Sequence, residues 1–413
     1  MRPATTTRVT DTVEIGDAWA GHAVGFDLLT RADRQIVAYY GPNRQLTVAQ
    51  RTLGEDDWTH TTLPERVPWD SHNDLALAAD SAGHLHLSGN MHGDPLVYFQ
   101  SRRPLDATTF ERVDTLVGRD EGQVTYPRFL DGPDGLVFMY RDGASGAGRR
   151  LLNAYDPESG WRRLLDAPLL DGGDAANAYP AGPIQGPNGD YHLFWVWRDS
   201  PDAATNHDLS YAWSPDLRSW RRADGQALGL PITPEDDCLV DPVQSGGGLL
   251  NSNVAPGFDA DGRPTVTYHK HVDDGTEAVV ARLESGRWRV RVVSDWGERW
   301  DFGGPGSLDD RIVVDPICPT ADGLVATFWH AAYGPGRWHL DAETLAPTGT
   351  DVPWHGLPEA WRDPAEEGFA AQWAVDGEWA LRWDALPPNR DRARDSAPPP
   401  SRLRVCRLDP EPS

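Results

Sequence analysis

Three cysteines, Cys238, Cys318 and Cys406, are too few and too scattered along 413 residues for a disulfide framework, and none belongs to a CxxC pair that would mark a zinc knuckle. Cations are outnumbered, 38 Lys and Arg against 63 Asp and Glu, for a formal charge of -25. That balance excludes a broad nucleic-acid surface, because backbone binding needs clustered cations that release counterions. No run of about eighteen apolar residues is present to span a membrane, and the polar stretch from Met1 to Thr10 lacks the apolar core of a secretory signal. Together these absences fit a reducing compartment. The expectation is a cytoplasmic protein, or a secreted one had a signal been removed, with neither nucleic acid nor membrane as partner. No pattern bears on its oligomeric state.

What the chain does contain is 18 Trp, 41 Gly and 35 Pro, with 39% hydrophobic residues. This is a core-forming composition that suits many short strands joined by tight turns, so the fold class is all-β. A turn rich in Asp, Asn and Gly recurs at 80–83, 131–135, 186–189, 259–262 and 321–323. Each copy is followed by an alternating apolar run, at 85–88, 136–140, 191–197, 264–269 and 324–329, that reads as a strand. Weaker copies occupy 21–48 and 368–408. Seven copies of about 59 residues each exceed the roughly 40 to 50 of common four-stranded propeller blades, and loop insertions account for the difference. The chain 1–413 therefore reads as a single seven-bladed β-propeller of mostly four-stranded antiparallel blades, beginning near 16, 71, 125, 178, 251, 314 and 367. Third strands run into a Ser-x-Asp turn and an aromatic, as at 214–220 and 101–110, which is a degenerate Asp-box: a capped turn with Trp packed between blades. Residues 384–400, rich in Pro, Arg and Asp, read as a loop inside the last blade.

In such a repeat the innermost strand of each blade starts at the rim where the second strand ends, so two columns of residues converge. The first column holds His22, His72 with Asn73, Tyr126, Tyr179, Asn251 with Asn253, and Asp315. The second holds Tyr40, Asn90 with His92, Arg141, Arg198, His269 with His271, and His330. Any one of these could simply bond to a neighbouring loop. As a set of His, Tyr and Arg on an acidic chain with 13 His, they point to a site. Those residue types suit β-elimination from a uronic acid. Arg offsets the carboxylate charge, while His and Tyr take the C5 proton and protonate the departing O4. Hydrolysis, which needs two flanking carboxylates, is the competing scheme, with Asp74 and Asp315 on the same rim. A non-catalytic glycan-binding propeller is a third. A sialidase would need three rim arginines, of which Arg141 and Arg198 are placed, while the neighbours of Arg128 fit a buried strand.

The stretch from Ser71 to about Tyr211 resembles the BNR-type propeller lyases, in particular ulvan lyases and L-rhamnose-α-1,4-D-glucuronate lyases. The matching text is Ser71-His72-Asn73-Asp74, His92 twenty residues after His72, Tyr126-Pro127-Arg128-Phe129, Tyr140-Arg141-Asp142-Gly143, Trp195-Val196-Trp197-Arg198 and Asn206-His207. The resemblance implies cleavage of a rhamnose–uronate linkage, glucuronate or iduronate, in an acidic oligo- or polysaccharide. His72, His92, Tyr126 and Arg141 would be catalytic, with acid and base unassigned among the first three. Asn73, Tyr179, Arg198, His207, His271 and His330 would bind substrate. No cofactor is required for that chemistry. Relatives with a structural zinc or calcium ion suggest Cys238 with His207, His271 or His330 as ligands, although no short-spaced motif supports them. Relatives also include a rhamnosidase on the same linkage, so the architecture alone leaves lyase and hydrolase open.

Overall fold

The computed structural model describes residues 7–410 apart from 322, 355–357, 359–360 and 362–363, so the expected turn at 321–323 falls partly outside the described residues. The recurrent turn has a local cause. Asp80 Oδ1 accepts the backbone N–H groups of Ala82 at 2.9 Å and His84 at 2.8 Å, and Gly83 follows with φ of 87°, a conformation that costs glycine little. Asp259 repeats the device, accepting from Asp261 at 3.1 Å and Arg263 at 2.9 Å. Each such turn reverses the chain into a second strand. Tyr191–Arg198 is buried along its whole length, the signature of a strand covered on both faces by neighbouring sheets.

The sheets are antiparallel meanders taken in chain order. The first runs Asp27–Arg31, Arg34–Tyr40, Gln45–Thr52 and Thr59–Arg66; the second Ala76–Ala79, Leu85–Ser88, Tyr98–Ser101 and Phe110–Arg112. A ten-stranded sheet then contains two meanders, Val124–Gly132 to Gly160–Arg163 and Asn177–Gln185 to Leu239–Asp241, linked by parallel bridges from Gly148 to Asn177 and from Leu170 to Ile232. His92–Asp94 adds itself to the edge of this sheet by pairing with Val124 and Thr125. Two further meanders run from Ala255–Phe258 to Arg287–Val292 and from Ile312–Val314 to Pro347–Asp351.

The last sheet combines both ends of the chain. Ala370–Asp376, Trp379–Ala385 and Ser401–Pro410 are completed by Thr7–Ala18, in register from Thr7 opposite Pro410 to Ala18 opposite Ser401. The stretch near residue 16, expected to open the first blade, therefore belongs to this closing sheet, and the first sheet starts at Asp27. Alternation alone could not show that an N-terminal strand pairs with the far end of the chain.

Aromatic residues fill the spaces between sheets. Phe26 stacks on Trp383 at 4.5 Å, joining the first sheet to the closing one, and Trp288 packs edge-on against Tyr211 at 5.0 Å. At the expected Asp-box, Asp216 Oδ1 accepts from the N–H groups of Arg218 at 2.8 Å and Ser219 at 2.6 Å, and Trp220 is 2% exposed with its Nε1–H donated to Leu217 O at 3.2 Å. Trp220→Ala would leave a large void in this core and should lower unfolding stability by about 3–5 kcal/mol, read from denaturant midpoints; a loss below about 1 kcal/mol would show that the site can collapse.

Candidate active site

Residues 69–75 enter the second sheet through a turn built by Asp70. Its Oδ1 accepts the backbone N–H of His72 at 2.9 Å and its carbonyl accepts Nδ2–H of Asn73 at 3.0 Å, an Asx turn that projects the His72 ring. The same carboxylate then accepts a hydrogen bond from each of two imidazoles. Nδ1–H of His72 donates to Oδ1 at 2.8 Å, and Nδ1–H of His92 donates to Oδ2 at 2.6 Å. The rings lie stacked with centroids 4.2 Å apart and planes 19° from parallel. With Nδ1 engaged on both, each ring is left with Nε2 for chemistry.

Asp391 also faces His72 Nδ1, at 3.3 Å. Burial alone would lower the His72 pKa, but hydrogen bonds and charge from Asp391 and Asp70 raise it to about 10. Burial opposes ionisation of Asp70 and Asp391 as well, yet their bonds to the imidazoles and to Ser71 hold both carboxyls well below the usual carboxylate range.

Tyr126 faces the imidazoles, its ring centroid 6.1 Å from His72 and 6.5 Å from His92. It sits in a β-bulge, where the register slips between Thr125 opposite Arg141 and Arg128 opposite Met139. Pro127 brings no N–H to the ladder, and Tyr126 takes φ of 55°, rare for a bulky residue; bulges of this kind re-aim side chains at sites. The bulge also turns Arg128, expected to be buried, onto an exposed wall, where it donates to Gly182 O at 2.6 Å.

Behind the phenol lie arginines without carboxylate partners among the described residues. The guanidinium carbons of Arg141 and Arg150 stand 5.0 and 5.3 Å from the Tyr126 ring, and that of Arg198 stands 5.2 Å from the ring of Tyr179. Arg141 is 1% exposed, donates to Thr125 Oγ1 at 2.9 Å, and leaves Nε and Nη1 with no partner in the protein. Burial and the charge of Arg141 bring Arg150 down to about 9. This positive cluster can stabilise only one phenolate at a time. Tyr179, bonded to Ser145 at 2.6 Å, is lowered because Arg198 and Arg141 outweigh its burial, whereas burial and Tyr179 push Tyr126 up to about 12.

A cleft of about 430 Å³ is lined by His72, Asp74, Tyr126, Arg128, Arg150, Tyr179, Arg198 and Asp310, while His92, stacked on His72, and Arg141, behind Tyr126, stand outside its lining. The structure thus brings together His72, His92, Tyr126, Arg141, Tyr179 and Arg198. Asn73 lies behind the turn, where its carbonyl accepts the Tyr40 hydroxyl at 2.8 Å. His207 is bound through both ring nitrogens, to Asp199 at 2.8 Å and Asp208 at 3.0 Å. His271 and His330 do not reach the cleft. The segment 293–311 lies over them, Trp300 O against His271 Nε2 at 3.3 Å and Trp296 on the His330 ring at 4.5 Å, and its own Ser307, Leu308 and Asp310 line the cleft instead. Asp315 is buried and accepts from Thr327 Oγ1 at 2.8 Å, apart from Asp74. Sequence reasoning missed Asp70, Arg150, Asp310 and Asp391. Of these only Asp70, adjacent to the Ser71-His72-Asn73-Asp74 text, carried a local signal.

A structural ion at Cys238 does not fit the residues present. The thiol is buried, pushed up to about 12 by desolvation and nearby Asp236, and no His joins it in a ligand set among the described residues. Three residues of ligand type, one carboxylate and two imidazoles, also meet at Asp70, His72 and His92. However, the Nδ1 to oxygen distances of 2.8 and 2.6 Å are those of N–H···O bonds. Two donors held about 2.1 Å from one ion would lie farther apart.

Residues 34–296 match the family model described as BNR repeat-containing family member. Among solved structures, polysaccharide lyase Uly1 superposes with a TM-score of 0.68 at 12% identity, over 97% of this chain and 100% of that one. The PL25 ulvan lyase bound to -[GlcA(1-4)Rha3S]- superposes with a TM-score of 0.65 at 14% identity, over 95% of each chain. At these identities the likeness establishes a shared all-β, propeller-like fold. No curated protein sequence matches.

The imidazolium pairing has a pH signature. A histidine raised from 6.5 to about 10 in the folded state contributes stability that is fully present below pH 6.5 and is lost as pH rises through 10. The depressed Asp70 and Asp391 contribute the same pairing seen from the acid side, present above their ordinary pKa of 3.8 and lost as pH falls below it. Denaturant midpoints should therefore decline between pH 7 and pH 10, and His72→Ala should flatten that decline; identical slopes in the two proteins would remove the pairing.

Proposed function

We propose that this chain, which belongs to the BNR repeat-containing family, is a polysaccharide lyase that cleaves a rhamnose–uronate linkage by β-elimination, on a propeller whose ten-stranded sheet counts as two of seven blades. One observation carries the reading: two imidazoles stacked 4.2 Å apart, both oriented by one carboxylate, face a phenol backed by arginines that no protein carboxylate neutralises. An acidic sugar supplies the missing anion, and its carboxylate sits over the arginine cluster with Arg141 and Arg150 drawing charge toward C5 and C6.

The hydrogen bonds support the following division of roles. His92, its Nδ1–H fixed on Asp70, presents a lone pair at Nε2 and removes the C5 proton. The electron pair of that C–H bond becomes the C4=C5 double bond as the C4–O4 bond breaks. His72, held as an imidazolium, gives its Nε2 proton to O4. Tyr126, its phenol pushed up to about 12, keeps its proton and donates a hydrogen bond. No cofactor enters, and the partner is an acidic oligo- or polysaccharide.

A specific observation favours hydrolysis as the second reading. Burial and neighbouring Asp309 push Asp310 up to about 7, suited to a general acid, and Asp74 lines the same cleft. The products separate the two: elimination yields an unsaturated uronate that absorbs in the ultraviolet, hydrolysis yields reducing ends without that band, and a glycan-binding protein yields neither. With rhamnose–glucuronate oligosaccharides the absorbance should rise, and reducing sugar released without it would overturn the lyase. His72→Ala and Arg141→Ala should each lower turnover at least about a hundredfold, and near-normal rates would strike either residue from the mechanism. Incubation with a chelator should leave turnover unchanged; loss restored by added zinc or calcium would reinstate an ion.

A further inference from the structure

Resting on the lyase reading, we propose that Asp391 is a positioning residue: carried by the loop 386–400 of the sheet that both chain ends build, it fixes His72 as the group that protonates the departing sugar oxygen. Asp391 lies far along the chain from His72, yet all of its side-chain contacts are made outside its own sheet. Oδ1 accepts from the Ser71 backbone N–H at 3.1 Å and the Ser71 hydroxyl at 2.7 Å. Oδ2 accepts from the Ser307 N–H at 2.8 Å and stands 3.3 Å from His72 Nδ1.

The loop that delivers it is built for this reach. Arg390 and Asp391 both adopt left-handed backbone, φ of 63° and 57°, a strain that persists only where surrounding structure imposes it. Arg390 Nη1–H donates to Gly303 O at 2.7 Å, binding the loop to the segment 293–311 that walls the cleft. The approach is close enough that a Cβ on Gly306 would come within 2.8 Å of Arg390 O. Arg394 holds the other side, donating to Gly21 O at 3.2 Å. The loop therefore clasps the connection that leads into the first sheet and the cleft wall at once, with Asp391 between them.

Two carboxylates on one ring nitrogen leave His72 protonated and its Nε2–H free, the state a proton donor requires. The other charged or titratable groups around the ring are Asp74 on its own turn, His92 stacked on it, Tyr126 across the cleft with Arg141 behind, and, beside Asp70 and Asp391, His22 from the connection before the first sheet and Arg394 from the loop itself. Among the described residues only Asp70 and Asp391 put negative charge on Nδ1. Asp70 serves both imidazoles, whereas Asp391 serves His72 alone and so distinguishes donor from acceptor.

The test pairs two readouts in Asp391→Asn: titration of the His72 ring by NMR, and the pH dependence of kcat and KM for unsaturated-uronate formation. The ring should titrate at least about one pH unit lower than in the wild type. The alkaline limb of the rate profile should move down with it, kcat should fall several-fold near pH 10 and by about tenfold above it, with little change at pH 7, and KM should change far less. Asp391→Glu, which restores the charge, should recover part of the limb. An unmoved His72 titration, or movement of the acid limb instead, would overturn the proposal. Wild-type protein that forms no unsaturated product strikes at the lyase reading instead, and the His72 titration then still decides whether Asp391 governs that ring.

Discussion

Two imidazole rings 4.2 Å apart repel each other whenever both carry a proton, so the arrangement of His72 and His92 depends on the Asp70 carboxylate that accepts from both. Remove that acceptor and His92 loses the carboxylate that orients its Nδ1, while His72 is left with Asp391 alone. With Asp70 in place, both Nε2 atoms are aimed and the rings are made unequal by a second carboxylate on only one of them. Environments that pull two similar groups apart in proton affinity are how one site comes to hold both an acid and a base.

The arginine cluster follows the same logic with the sign reversed. On a chain of formal charge -25, Arg141 and Arg150 are nearly fully buried without a carboxylate beside them, an arrangement that is unfavourable until an anion arrives. Nε and Nη1 of Arg141 have no hydrogen-bond partner among the described residues. The cost of keeping such groups dry and unpaired is met by the surrounding sheets, whose aromatic seams supply rigid apolar burial.

Much of this was legible in the residues, and the reason is periodicity. The turn of Asp80 and Gly83 encodes its own hydrogen bonds, so its recurrence exposes the strands on either side and hence the rim where His72, His92, Tyr126, Tyr179, Arg141 and Arg198 gather. What the pattern could not carry was anything set by long-range closure. His271 and His330 occupy the expected rim positions, but an irregular segment, 293–311, covers them with Trp300 and Trp296, and such a segment has no period to read. Arg128 was misjudged because a bulge at Tyr126 and Pro127 shifts the alternation by one residue. Asp391 lies in a Pro- and Arg-rich loop whose composition says only that it is irregular, and its partners Ser71 and Ser307 are distant along the chain.

The pairing of Thr7–Ala18 with Ser401–Pro410 has a consequence for biosynthesis. Thr7–Ala18 is synthesised long before the strand it pairs with, and in the interval it is an unsatisfied edge that could join another nascent chain. Its sequence guards against that outcome, since Arg8, Asp11, Glu14 and Asp17 space charge along the ribbon while Val13 and Ile15 wait for burial. A chain stopped before Ser401 would keep that ribbon open, with its charged residues as the remaining guard against pairing.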